Sequence, residues 1–388
     1  MQPDIEIFLF IDALGWNLVS QTHFLESWLP KRRGIEMQFG YSCTAIPTIL
    51  SGVQPDRHGH LSFYQFAPQC SPFKKLAGLE TILKPASFWN RGRIRHWLSK
   101  LIKRLYGYTG YFQLYQMPWK KLAMMDYCEK RDLFAPHGLS PLENLRDMLD
   151  KTNVPFHISD WHLGDEANLE AGRQALRNGC RFLFLYTAEL DGLLHDHIGD
   201  MTVIQRKLAW YATKVQALLE TGRAMGRQIR MTVFSDHGMT PFTHAVDIQA
   251  AIEALGLCFG TDYGACYDST MVRFTFLSPV TQNKIRSAMT AFEQLGHWLS
   301  LEEERRYGIY REDRLFGDAI FLMNPGIQVI PSDMGAKPLH GMHGFAPEDS
   351  HSQAAILSND RIPDQISHVA DYFSLMKERL DNLVGNSP

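Results

Sequence analysis

Two segments far apart in the chain, Phe10-Ile11-Asp12-Ala13-Leu14-Gly15 and Phe234-Ser235-Asp236-His237-Gly238, share one design. Each closes an apolar, β-prone run with a carboxylate and places a glycine within three residues of it. In an open α/β sheet the carboxyl ends of the strands form the binding crevice. Two strand ends that deliver Asp, one of them with His, point to a cation site rather than to core.

The surrounding pattern predicts the sheet. Ile5–Ile11 is apolar except for Glu6, as expected of a strand buried on both faces, and 181–186 and 229–234 have the same character. Between the last two, 202–225 is a long helical pattern with Leu208, Tyr211, Val215, Leu218 and Leu219 on one face. Strand, helix and strand in that order predict a parallel crossover, hence an α/β fold with a doubly wound, mostly parallel sheet.

Two stretches interrupt this rhythm. Between Arg91 and Lys121 there are eight Lys or Arg and no acid, and Ile94, Trp97, Leu98, Leu101 and Leu105 trace an amphipathic helix. Three readings stay open for it: a solvated helix over the core, a lid on an anionic substrate, or a peripheral contact with an anionic membrane. The second stretch has a strand at 270–277, a helix at 281–295 and a strand at 319–323. The expected division is core 1–80, a helical basic and aromatic insertion 81–140, core 141–263, a small α+β cap 264–330 and core 331–388.

Composition bounds the function. A net charge of −3 over 388 residues argues against a chain that binds nucleic acid globally. Cys43, Cys70, Cys128, Cys180, Cys258 and Cys266 contain no C-x-x-C pair and read as reduced thiols. With no signal-peptide pattern after Met1 and no long apolar run, a cytoplasmic protein is expected.

Four pieces carry chemistry: Asp12; the run from Tyr41 to Gly52 followed by Pro55-Asp56-Arg57-His58-Gly59; Glu189-Leu190-Asp191-Gly192-Leu193-Leu194-His195; and Asp236-His237 with Gly341-Met342-His343-Gly344. Asp191 and His195, four apart, face the same way on a helical turn and can share an ion. Imidazole mixed with carboxylate suits Zn²⁺, with Mn²⁺ a second choice. A Ser at a helix start lies where amides and the helix dipole favour an anion, and a dication beside it makes an alkoxide accessible.

The ordered set Asp12, Ser42, Asp191-x-x-x-His195, Asp236-His237 and His343 resembles the alkaline phosphatase superfamily, nearest its type I phosphodiesterase/nucleotide pyrophosphatase branch. That branch places its nucleophile ten residues before the Gly of a [Ser/Thr]-Gly ending; counting back from Gly52 gives Ser42. Pro55-x-x-His58-Gly59 also matches. The resemblance covers about 4–65, 180–245 and 338–348.

It implies an alkaline phosphatase-like core and a two-metal hydrolase. Asp191, His195 and His343 would hold one ion, and Asp12, Asp236 and His237 the other, with Ser42 bridging toward the second and forming a phosphoseryl intermediate. The backbone N–H of Cys43 would help bind a phosphoryl oxygen. Thr44 is a rival nucleophile, because the branch often uses Thr; His340 and His197 rival His343 and His195. A sulfatase is disfavoured, since Thr44 and Ile46 stand where that pattern needs Pro and Arg. The expected substrate is a small-molecule or lipid-linked phosphodiester or pyrophosphate. A phosphomonoesterase, phosphomutase or phosphonate hydrolase is the alternative within the superfamily. A non-catalytic, membrane-recruited binding protein is the alternative of another class.

Overall fold

The structure, a computed structural model, describes residues 3–83 and 86–385. The chain divides into two units, Met1–Gln54 with Leu133–Pro241 and Pro347–Pro388, and Pro55–Asp132 with Phe242–Ala346.

The first unit is built on a six-stranded sheet. Its strands are β1 (Ile5–Ile11), β2 (Lys31–Ile35), β3 (Phe156–Ile158), β4 (Phe182–Thr187), β5 (Ile229–Phe234) and β6 (Ala354–Ser358), in the order β2-β6-β5-β1-β4-β3. β1 pairs in parallel with both β4 and β5, and β3 with β4, while β6 runs antiparallel between β5 and β2. The mostly parallel sheet read from the sequence is therefore present.

Alternation along β1 explains why it is apolar throughout. Ile5, Ile7, Leu9 and Ile11 enter one buried cluster with Leu208, Tyr211 and Val215, whereas Phe8 and Phe10 enter another with Phe234, Tyr372 and Leu375. Both faces are covered, so neither tolerates a polar row. On the first face lies the helix Met201–Ala224, whose five predicted apolar positions are all buried. The second carries Ile49 and Leu50 of the helix Ser42–Ser51 and the C-terminal helix Asp371–Gly385. Glu6 is the exception inside β1; it is buried against Arg230 at 3.2 Å, and burial pushes its carboxyl up to about 8.

The second unit contains an antiparallel sheet of Tyr263–Tyr267, Met271–Phe276, Ala319–Met323 and Gly296–Trp298. The helix expected at 281–295 spans Pro279–Met289. A separate aromatic cluster joins Tyr64, Phe73, Phe112, Trp119 and Tyr127. The basic segment packs by only part of its apolar stripe, the buried Leu98 and the half-buried Ile94. Its helix, Gly92–Tyr106, buries Arg95, Leu98, Ser99 and Ile102, and leaves Trp97, Leu101 and Leu105 exposed. Polar bonds hold this rotation: Arg95 Nη2 donates to the Met117 carbonyl at 2.9 Å over the Trp119 ring, and the Leu114 N–H donates to Ser99 Oγ at 2.9 Å. Lys121 is also buried, its ammonium 4.6 Å from the Tyr267 ring.

Candidate metal and nucleophile site

Strand geometry places the first ligands. Asp12 is the residue after β1, and its N–H donates to the Thr187 carbonyl at the end of β4. Asp236 and His237 follow β5 by one residue, and both are fully buried. Parallel pairing of β1 with β5 puts the two strand ends side by side. Asp236 Oδ1 accepts from the N–H groups of Ala13 (3.3 Å) and His237 (3.0 Å), which fixes its carboxylate.

His237 is oriented by its own chain. Its Nδ1 donates to the Gly238 carbonyl at 2.9 Å, so the neutral ring carries its lone pair on Nε2. That nitrogen faces Asp236 Oδ2 at 3.2 Å, Asp12 Oδ1 at 3.6 Å and Ser42 Oγ at 3.0 Å. Asp12 Oδ1 and Asp236 Oδ2 are buried and make no hydrogen bond among the described residues.

Ser42 opens the helix Ser42–Ser51 after an extended Tyr41, and Gly52 closes it in the left-handed conformation, φ 69°. The N–H of Cys43 belongs to the first turn, whose amides lack intrahelical carbonyls. Thr44 is wholly buried, and its Oγ1 accepts the Tyr41 N–H at 3.2 Å as half of a reciprocal cap.

Asp191 and His195 lie on the helix Glu189–His197, with Oδ2 3.4 Å from Nε2, as the four-residue spacing predicts. His197, on the same helix, is exposed. One ligand atom from each of Asp12, Asp191 and His237 falls within 4.8 Å of the others. Beneath this helix is a residue that sequence reasoning missed. Asp165, buried, accepts from the N–H groups of Ala188 (2.9 Å) and Glu189 (3.3 Å) and from the Tyr211 hydroxyl. Its only sequence signal is an acid at a helix start, shared with many structural residues. In the second unit His343 is buried and His340 exposed, its carbonyl accepting from Phe242 N–H.

Electrostatics show what this arrangement requires. Burial, followed by the carboxylates of Asp236 and Asp191, holds Asp12 well above the usual carboxylate range. Burial opposes charge on His237, but Asp236 and Asp191 outweigh it and raise its pKa. Buried acids that repel one another and carry oxygens without hydrogen bonds fit a divalent cation, which would neutralise the charge and coordinate those oxygens. A hydroxyl at a helix start beside such a cation is placed to attack an anionic ester.

The sequence from residue 7 to residue 346 matches the type I phosphodiesterase/nucleotide pyrophosphatase family. The chain belongs to that family. No curated protein matches it in sequence. Among solved structures, murine ectonucleotide pyrophosphatase/phosphodiesterase 5 is similar with a TM-score of 0.66 at 12% identity, covering 97% of this chain and 95% of that one. An inactive variant of the murine protein in complex with AMP gives 0.65 at 12%, covering 98% and 95%. The human counterpart gives 0.65 at 10%, covering 97% and 95%. At these identities the structural likeness is one of fold, and it agrees with the mostly parallel α/β core. Family membership makes the chain a phosphodiesterase-type hydrolase.

Proposed function

We propose that this family member cleaves a phosphodiester or pyrophosphate-type bond through a phosphoseryl intermediate on Ser42. The observation that carries the reading is Ser42 Oγ at a helix start, 3.0 Å from His237 Nε2. Asp12, Asp236 and His237 would hold one divalent ion; Asp191, His195 and His343 would hold the other, His343 being assigned on the family motif alone. Zn²⁺ is the first choice and Mn²⁺ the second. When bound, such ions neutralise the phosphoryl oxygens and lower the pKa of nearby hydroxyl groups and water.

The chain's own residues do the rest. Ser42 Oγ gives up its proton to solvent and forms the new P–O bond as the bond to the leaving oxygen breaks. That oxygen departs with the bonding pair and takes a proton from water. A second water then cleaves the phosphoseryl ester and returns a proton to Ser42 Oγ. The Cys43 N–H, at the helix start, donates to a phosphoryl oxygen. Thr44 serves as a cap, in keeping with its burial and its bond to Tyr41.

The AMP complex of the murine neighbour supports a nucleotide-type phosphoester as the small-molecule substrate; a lipid-linked phosphoester is the second class. Six free cysteines favour a reducing compartment, so the cytoplasm is the proposed location. No helix among the described residues is long and apolar enough to cross a membrane.

Metal content, together with hydrolysis of bis(p-nitrophenyl) phosphate and p-nitrophenyl phosphate, tests the reading. Two zinc or manganese ions per chain and faster diester cleavage, abolished in Ser42→Ala, are the expected results. Faster monoester cleavage would keep the site and overturn the diester preference. No metal and no cleavage would leave a non-catalytic binding protein on this core.

A further inference from the structure

The helix Gly92–Tyr106 presents an apolar row to solvent. Trp97, Leu101 and Leu105, at four-residue spacing, are 58%, 41% and 71% exposed. Successive members of such a row lie one turn apart on the same face. Arg93, Lys100 and Arg104 run beside it, also exposed, at positions that follow the same helical period. Just upstream, Phe88 is 42% exposed beneath the Arg91 guanidinium, and Ile82 is 73% exposed. The stretch 91–121 contains no acid that would neutralise this face internally.

The opposite face of the helix is already occupied. Arg95, Leu98, Ser99 and Ile102 are buried, with Arg95 and Ser99 bonded to the backbone of 114–117. The rotation is thus set by the protein interior, and the apolar row is left over. A fold that spends a buried arginine to turn Trp97 and two leucines outward is not hiding its apolar surface.

We propose that this face docks on an anionic lipid bilayer. The charge pattern selects the occupant. Trp and Leu side chains suit the boundary between headgroups and acyl chains, while Arg and Lys beside them reach back to anionic headgroups. A protein partner that matched the row alone would gain nothing from three flanking cations unless it were itself acidic. Vesicle binding by this face involves neither Ser42 nor the cation ligands, so it is separable from the proposed hydrolysis.

The experiment is co-sedimentation of the full chain with phosphatidylcholine vesicles, with and without phosphatidylglycerol, at low and high salt. The expected result is binding to the anionic vesicles alone, weakened by salt. Each of Arg93→Gln, Lys100→Gln and Arg104→Gln should weaken it by about fivefold. Trp97→Ser with Leu101→Ser should weaken it by roughly tenfold or more. The glutamine variants alter only exposed side chains, so they keep the test decisive if the serine pair misfolds. Equal binding to neutral vesicles, or none to either kind, overturns the proposal. So does a concentration-dependent dimer, seen by sedimentation equilibrium and dissolved by Leu101→Ser, in a protein that ignores vesicles.

Discussion

Gly15 and Gly238 meet backbone to backbone beyond the ends of β1 and β5. A Cβ on Gly15 would lie 2.6 Å from the Cα of Gly238, and one on Gly238 would lie 2.1 Å from the His351 carbonyl oxygen. This contact explains why both carboxylate-bearing strand ends are followed by glycine. The turns must close on each other to bring Asp12 and Asp236 to one point, and a side chain would wedge them apart.

Gly238→Ala should therefore destabilise the protein by about 1–3 kcal/mol, the usual cost of overpacking. It should also weaken metal binding, because His237 is the adjacent residue and donates to the Gly238 carbonyl. Thermal melting and a metal titration check both. Unchanged values would mean that the turns are free to separate.

Ser42→Ala and Thr44→Ala should separate chemistry from capping. The first should lower the rate by orders of magnitude and leave melting nearly unaltered. The second should cost about 1 kcal/mol through the lost cap and retain most activity. If Thr44→Ala abolishes turnover in protein that stays folded, the nucleophile has been misassigned.

Metal should reverse the stability order of wild type and Asp12→Asn. Without metal, Asp12 sits buried beside Asp236 and Asp191, so removing its charge should leave melting equal or higher. Zinc at a hundred times its dissociation constant should stabilise the wild type by about 2.7 kcal/mol and the variant by much less. Differential scanning fluorimetry with chelator and then with zinc reads the crossover. Parallel behaviour of the two proteins would show that Asp12 holds no ion.

Asp165→Ala should act on Asp191 from a distance. Its carboxylate receives the amides of Ala188 and Glu189, immediately before the turn of helix that presents Asp191. The loss should lower metal affinity by roughly tenfold or more, as removal of supporting bonds behind a ligand commonly does. Asp165→Asn should restore part of it. Calorimetric zinc titration distinguishes this from a uniform loss of stability, in which folded variant would bind normally.

Glu6 should impose a pH dependence on folding. Its folded pKa, about 8, lies above the unfolded value of about 4.5, so between those values the folded state holds more proton. Stability is fully present below the unfolded pKa and is lost as pH rises through the folded one, by at most about 1.4 kcal/mol per pH unit for this group. Glu6→Gln should flatten that fall. Urea melts of both proteins at pH 6 and pH 9 would show it, and parallel curves would rule it out.

The strands β1 and β5, the long helix Met201–Ala224 and the strand-end acids were legible in the sequence because each is a local pattern. An apolar run bounded by Asp marks a doubly buried strand; Leu208, Tyr211 and Val215 recur at the helical period; Asp191 and His195 share a turn. The packing of Gly15 on Gly238, the support of Asp165 under the Asp191 helix and the direction faced by the basic helix were not. Periodicity identified Gly92–Tyr106 as amphipathic, yet tertiary bonds from Arg95 and Ser99 turned Leu98 and Ile102 inward and Trp97, Leu101 and Leu105 out. Residue spacing determines which side chains share a face. Which face is buried depends on the summed contacts of residues distant in sequence, and only the folded chain brings those together.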